Sequence, residues 1–172
     1  PPKELGLVTQ EVVKAVILFE HDESFSTLIT LLKNSRNKWA QFKVLSLFYE
    51  QAAIGLIKLN PSEGKDFLLN ELKFAIDLPN SDRIRNYIIT ALEQLPNEAE
   101  KVAIFQSIVA NLDYGMEIRN KALNLIEAID EEEFFSTLEK TVLDILKKLE
   151  PDDTEMFKLC LGKIFQFMDQ SS

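Results

Sequence analysis

One segment of the chain occurs twice, and this repetition constrains the fold more than any other feature. Residues 82–95 read DRIRNYIITALEQL, and residues 116–129, 34 positions later, read MEIRNKALNLIEAI. The offset superposes the IRN tripeptide at 84–86 on the same tripeptide at 118–120. Self-similarity at one fixed period is typical of repeat proteins, in which each unit buries its apolar face against its neighbours. We therefore expect a chain built from similar structural units.

Apolar residues follow helical spacing along the chain, and no segment shows sustained strand alternation. The segments are separated by short breaks that contain Pro, Gly, Asn or Ser, residues that are typical of helix ends. The pattern predicts an N-terminal helix over 8–20 and further helices over 23–34, 38–59, 63–77, 82–95, 98–112, 116–129, 132–149 and 154–168. The predicted fold class is therefore all-α.

Consecutive predicted helices pair into antiparallel hairpins, because only short connections join them. We expect a single α-helical repeat domain over 1–172, with the repeats at approximately 23–59, 62–95, 97–129 and 131–168. An offset of 36 also aligns Leu56 with Leu92 and Leu68 with Ile104, so three units share one register. The fourth unit aligns only loosely.

The two copies of the repeated segment carry equivalent core faces. At about 100° per residue, five apolar residues of each copy lie in one stripe. These predicted core residues are Ile84, Ile88, Ala91, Leu92 and Leu95, with Ile118, Ala122, Leu125, Ile126 and Ile129. Arg85 and Arg119 lie at the edge of the stripe, and a further apolar residue, Ile89 or Leu123, lies beyond each arginine. Apolar residues outside one stripe need neighbours on more than one side, as stacked hairpins provide.

The second helices of these hairpins resemble those of HEAT and armadillo-like repeats. The segments that carry the resemblance are 49–57, 84–92 and 118–126. The resemblance implies an α-α superhelix, a solenoid of about four antiparallel hairpins. Tetratricopeptide repeats are the rival architecture, since their period of about 34 residues fits better. However, Leu72 and Ile84 occupy positions where that family has small residues.

The resemblance also implies roles for the two arginines. In HEAT-like repeats an arginine early in the second helix typically pairs with an aspartate in the preceding turn. This pattern matches Arg119 with Asp113 and Arg85 with Asp77. The first unit has Tyr49 at the arginine position, so the implied ladder is incomplete.

Charge and composition indicate which partners are disfavoured and in which compartment the protein is expected. The net charge is −9, and residues 59–172 alone carry −10. Because an acidic surface repels phosphate backbones, nucleic acid is disfavoured as a partner. No uncharged apolar run approaches the roughly 20 residues that span a bilayer, and no signal peptide is recognised. With Cys160 as the single cysteine, we expect a cytoplasmic protein in a reducing compartment.

The sequence predicts no catalytic residue, no cofactor and no metal site. His21 is the only histidine, and we interpret it as part of a solvated turn. Cys160 lies between two leucines without a nearby base, which indicates an inert, buried thiol. The carboxylates at 131–133 and 152–155 stand at predicted helix starts, where the helix dipole stabilises each by about 0.3–1 kcal/mol. No Gly-rich phosphate loop or zinc spacing occurs.

Two groups of residues are candidates for protein binding. The first consists of polar positions on the second helices: Arg83, Asn86, Thr90, Asn120 and Asn124. The second is Lys38 with Trp39, the sole tryptophan, in the strongest basic cluster of the chain, which also contains Lys33, Arg36, Phe42 and Lys43. Trp is enriched at interface hot spots. The other interpretation of Trp39 is that it covers the core at a helix start.

The last helix has an unusually broad apolar surface. Its stripe contains Phe157, Leu161, Ile164, Phe165 and Met168, and Cys160 and Phe167 widen it. This breadth indicates a terminal unit that awaits another repeat or a partner, since capping repeats are polar outside.

These features favour a non-enzymatic scaffold of HEAT-like repeats that binds a protein or peptide of unknown identity. One alternative is an enzyme subunit on the same fold, similar to a phycobilin lyase or a DNA glycosylase. Another is a structural section of a longer solenoid.

Overall fold

The computed structural model describes residues 11–18, 23–38, 45–75, 81–148 and 154–170 of the 172-residue chain. Within these ranges the backbone is helical apart from short turns, and none of it forms a strand. The predicted all-α class is confirmed.

The described helices follow one another with few residues between them. They are α1 (11–18), α2 (Ser24–Lys38), α3 (Leu45–Leu59), α4 (Pro61–Phe74), α5 (Ser81–Leu92), α6 (Glu98–Ala110), α7 (Met116–Ile129), α8 (Glu131–Lys148) and α9 (Thr154–Gln170). The predicted end of α2 at Asn34 and Ser35 is wrong, since the helix continues to Lys38. Asn and Ser lie less than about 0.7 kcal/mol below Ala in helix propensity, a penalty that packing overrides.

The chain divides into two compact units, Pro1–Pro96 (unit 1) and Asn97–Ser172 (unit 2). In unit 1, α2 packs on α3 and α4 packs on α5, while α3 also contacts α5. In unit 2, α6 packs on α7 and α8 packs on α9, while α7 also contacts α8 and α9. These pairs are the helix pairs expected from the sequence, whereas a single domain with four repeats stays a prediction.

A repeated capping residue opens the first helix of three hairpins. Asn60, Asn97 and Asp130 each precede such a helix, namely α4, α6 and α8. The side-chain Oδ1 of each accepts a hydrogen bond from the backbone N–H three residues later, at 3.2, 3.1 and 3.0 Å respectively. Such N-caps satisfy backbone donors that the helix leaves unpaired. Pro61 then occupies the first position of α4, where no N–H is needed.

The predicted core stripe of α5 is buried over its whole length, and most of the stripe of α7 is buried too. In α7, Leu125 and Ile129 are only partly buried. Ile89 and Leu123, which lie outside the predicted stripes, are fully buried. The reason is that α5 contacts both α3 and α4, and α7 contacts α6, α8 and α9. Each of these two helices is therefore covered on more than one side.

Gly64 of α4 lies close against the backbone of α3. A Cβ added there would lie 2.7 Å from the carbonyl oxygen of Leu56 and 3.1 Å from the backbone nitrogen of Ile57. Gly162 in α9 is the opposite case, because a Cβ at that position meets no atom within 4 Å. Of these two glycines, Gly64 is the one that packing requires.

We predict that Gly64→Ala lowers the free energy of unfolding by about 1–3 kcal/mol, because backbone atoms cannot move aside as a side chain can. Gly162→Ala is the matched control and should leave stability unchanged or raise it by up to about 1 kcal/mol through helix propensity. Urea denaturation followed by far-ultraviolet circular dichroism measures both. A Gly64→Ala protein as stable as the native chain would contradict the close approach.

Candidate protein-binding surface

The side of α5 opposite its core stripe carries three of the predicted binding residues. At 100° per residue, Arg83, Asn86 and Thr90 lie within about 60° of one another, away from the buried Ile84 and Ile88. Arg83 is exposed, and Asn86 and Thr90 are half-buried. We call these three positions the α5 polar side.

Two local contacts determine what the α5 polar side can offer to a partner. Arg83 Nε donates a hydrogen bond to Tyr87 Oη at 3.0 Å, and the guanidinium carbon lies 5.9 Å from the Tyr87 ring centroid. These contacts hold the guanidinium along the helix surface. Thr90 Oγ1 donates to the backbone carbonyl of Asn86 at 3.0 Å. Because its proton is used within the helix, the Thr90 hydroxyl does not offer that proton to a partner.

The equivalent positions of α7, 34 residues later, are Glu117, Asn120 and Asn124. We call them the α7 polar side. Asn124 is exposed and Asn120 is half-buried. The Oδ1 atom of Asn120 is buried, and it accepts no hydrogen bond in the part of the chain that the structure describes. A buried acceptor left unsatisfied costs about 1–3 kcal/mol.

The α7 polar side ends at a contact with α9. Lys163 Nζ donates to Glu127 Oε2 at 2.8 Å, and the same ammonium lies 5.2 Å from the centroid of the Phe134 ring. This interaction joins α7, α8 and α9 within unit 2. Helix α9 therefore borders the surface on which Asn120 and Asn124 lie.

The α5 polar side belongs to unit 1 and the α7 polar side belongs to unit 2. Of the second predicted group, Lys38 is the last residue of α2. Trp39 lies outside the described residues, so both interpretations of this residue stay predictions.

Arg85 and Arg119, at the edges of the core stripes, are both almost fully buried. Arg85 Nη1 lies 3.2 Å from Asp82 Oδ1, one turn earlier in α5, whereas the predicted partner Asp77 lies outside the described residues. Arg119 Nε donates to the backbone carbonyl of Val109 at 2.8 Å, in the last turn of α6.

The contact of Arg119 differs from the ion pair with Asp113 that the resemblance implies. The side chain of Asp113 is exposed, and its backbone N–H is bonded to Asn111 Oδ1 at 2.9 Å. A cation near the last carbonyls of α6 is favoured by the helix dipole. Arg119 therefore joins the two helices of one hairpin.

A buried carboxylate in unit 1 was not anticipated from the sequence. Tyr49 Oη donates to Glu71 Oε2 at 3.5 Å, and both residues are buried where α3 packs on α4. Glu71 lies on the same side of α4 as Leu68, which is the signal that could have revealed its burial. The pair fixes two helices against each other.

A second polar contact that the sequence did not reveal joins α6 to α8. Gln106 Nε2 donates to Glu133 Oε2 at 2.9 Å and to Thr137 Oγ1 at 3.1 Å. Both acceptors lie on α8, and Thr137 is buried. This contact positions the first turns of α8 within unit 2.

The sequence predicts no metal site and one buried thiol in the described ranges. No group of three or more His, Cys, Asp or Glu side chains in those ranges could hold a metal ion. His21 lies outside them. Cys160 is fully buried and forms no disulfide, which confirms the prediction of a buried thiol. Among the described helices, none is both long enough and apolar enough to cross a membrane.

No protein-family model, curated protein or solved structure matches the chain. The fold and the contacts define an all-α protein, and the resemblance to HEAT-like repeats stays a prediction.

We predict that Arg119→Ala lowers the free energy of unfolding by about 2–3 kcal/mol. The substitution removes a buried charged donor, so the Val109 carbonyl loses the hydrogen bond that it accepts from Arg119. Arg83→Ala, which removes an exposed arginine, should change stability by less than about 0.5 kcal/mol. Urea denaturation of both variants checks the difference. Equal stability of the two variants would show that Arg119 has no special structural role.

Proposed function

We propose that the chain is a non-enzymatic scaffold of HEAT-like repeats that binds a protein or peptide through the α5 and α7 polar sides. The observation that carries the proposal is the recurrence of polar residues at one register on α5 and α7, on the side of each helix opposite its buried apolar stripe. Packing of the core explains the apolar positions of the repeat, whereas Asn86 and Asn120 are polar and only half-buried. Each asparagine supplies a donor and an acceptor, which match the peptide groups of a bound segment.

Asn120 supports the α7 polar side as a contact surface. Its Oδ1 is a buried acceptor, and none of the described residues donates a hydrogen bond to it. A rotation of this half-buried side chain would bring the oxygen to the surface, where a donor from a partner can reach it.

The charge at the first position of each polar side differs. Arg83 stands at that position in α5 and Glu117 stands at it in α7. A segment that binds the α5 polar side is therefore expected to place an acidic group near Arg83. A segment that binds the α7 polar side is expected to place a basic group near Glu117, because opposite charges across an interface set its register.

The proposal includes the α-α superhelix of about four hairpins that the resemblance implies, and a cytoplasmic location. The support for the first is the shared register of the repeated helices, and the support for the second is the buried thiol of Cys160. The net charge of −9 favours a protein partner over nucleic acid.

The test compares two sets of asparagine substitutions. Asn86→Ala combined with Asn120→Ala and Asn124→Ala removes the amides of both polar sides. Asn34→Ala combined with Asn70→Ala is the matched control, since these asparagines are exposed on α2 and α4. Proteins bound to the tagged chain in its own cells are quantified by mass spectrometry, and the affinity of each recovered partner is then measured with purified components.

We expect the polar-side variant to bind its partner about tenfold more weakly or worse, as loss of interface amides predicts, while the control keeps its affinity. Both variants should retain the circular dichroism spectrum of the native chain. Equal affinities for the two variants would exclude the α5 and α7 polar sides as the binding surface. Salt-sensitive DNA binding or a bound chromophore would instead favour the enzyme alternatives.

A further inference from the structure

The side of α8 that faces away from the core of unit 2 carries apolar residues that the core does not use. The buried residues of α8 include Phe134, Leu138 and Thr141. Leu143 and Leu146 are 44% and 53% exposed. A helix side that only meets water is ordinarily polar, so these two leucines are not explained by folding alone.

The exposed leucines share one stripe with two exposed carboxylates. At 100° per residue, Glu132, Glu139, Leu143 and Leu146 lie within about 60° of one another. The carboxylates occupy the N-terminal half of the stripe and the leucines occupy the C-terminal half. The stripe extends about 21 Å along the axis, since each residue advances the helix by about 1.5 Å. We call these four residues the α8 face.

Helix α9 is also more apolar on its surface than its packing requires. Its core positions are Met156 and Cys160, which are fully buried. Of the broad stripe predicted from the sequence, Phe157 is half-buried and Phe165 is 60% exposed. Exposed apolar surface in unit 2 is therefore not confined to α8.

The charge of unit 2 selects the kind of partner. Residues 97–172 contain eight Lys and Arg against sixteen Asp and Glu. Among the described side chains of this unit, the exposed acidic residues are Glu98, Asp113, Glu117, Glu127, Asp130, Glu131, Glu132, Glu133, Glu139 and Glu155, and the exposed basic residues are Lys140, Lys147 and Lys158. A second copy of this unit and an anionic membrane would both be repelled, whereas a basic segment is attracted.

We propose that the α8 face docks an amphipathic helix from a partner protein, with Lys or Arg opposite Glu132 and Glu139 and apolar side chains opposite Leu143 and Leu146. The leucines supply the apolar area that removes water from the contact. The carboxylates form charge-assisted hydrogen bonds with the basic side chains and set the direction of the bound helix. This face lies on a different helix from the α5 and α7 polar sides, so either proposal can fail alone.

The probe is a pair of synthetic amphipathic helices of about 14 residues, the length that covers the α8 face. One peptide carries Leu with Lys and the other carries Leu with Glu at the same positions. Each peptide is titrated against the full chain by fluorescence anisotropy at low and at physiological ionic strength. We expect the Lys peptide to bind, more weakly as salt rises, and the Glu peptide not to bind.

Three double variants locate the contact. Glu132→Lys with Glu139→Lys, and separately Leu143→Ser with Leu146→Ser, should each weaken binding of the Lys peptide by about tenfold. Glu98→Lys with Asp113→Lys is the matched control. It changes the net charge by the same amount at exposed positions outside α8, and it should keep the affinity within about twofold.

Several outcomes would overturn the proposal. Equal weakening by the two charge-reversal variants would mean that the peptide responds only to net charge. Binding of the Glu peptide as tightly as the Lys peptide, or no binding of the Lys peptide, would exclude a basic helix. A dimer in sedimentation equilibrium that Leu143→Ser with Leu146→Ser abolishes would assign the α8 face to a second copy of this chain.

Discussion

Burial of α5 and α7 on more than one side is the constraint on which the rest of the structure depends. Ile89 and Leu123 lie outside the main apolar stripes of these helices, yet both are fully buried. Removing each side chain from water contributes about 1.5–3 kcal/mol, and it requires a neighbour on a second side of the helix. Only the sides with Arg83, Asn86 and their equivalents stay available for other roles.

Helix α8 illustrates the opposite situation. The side of α8 that faces the core is buried within unit 2, and the contact of Gln106 with Glu133 positions the first turns of the helix. Its outer side has no structural task among the described residues, yet it carries Leu143 and Leu146. Polar residues that recur opposite the core stripes of α5 and α7, and exposed leucines on α8, are therefore two different indications of binding.

Much of the fold could be predicted because helix formation is governed by local sequence. The 3.6-residue period identified the helices, and the 34-residue offset identified the equivalent stripes of α5 and α7. Less of the candidate binding surface could be predicted from the sequence. Polar residues such as Asn86 and Asn124 could be placed on an outward side by geometry, whereas the burial of Asn120 Oδ1 depends on its surroundings in the folded chain. The partner of Arg119 was also different from the expected aspartate, because a carbonyl that a helix leaves unpaired has no signal in side-chain identity.

The sequence by itself determined that the chain is helical, where most helices begin, and which side of each repeated helix is apolar. These properties depend on residues within a few positions of one another, such as the Asn97 cap and the residues that follow it. Only the tertiary structure decided that Glu71 is buried beside Tyr49, that Gly64 lies against the backbone of α3, and that Cys160 of α9 is buried while Phe165 is exposed. The physical reason is that burial and hydrogen bonding depend on which helices pack together, and packing joins residues that are distant in the sequence.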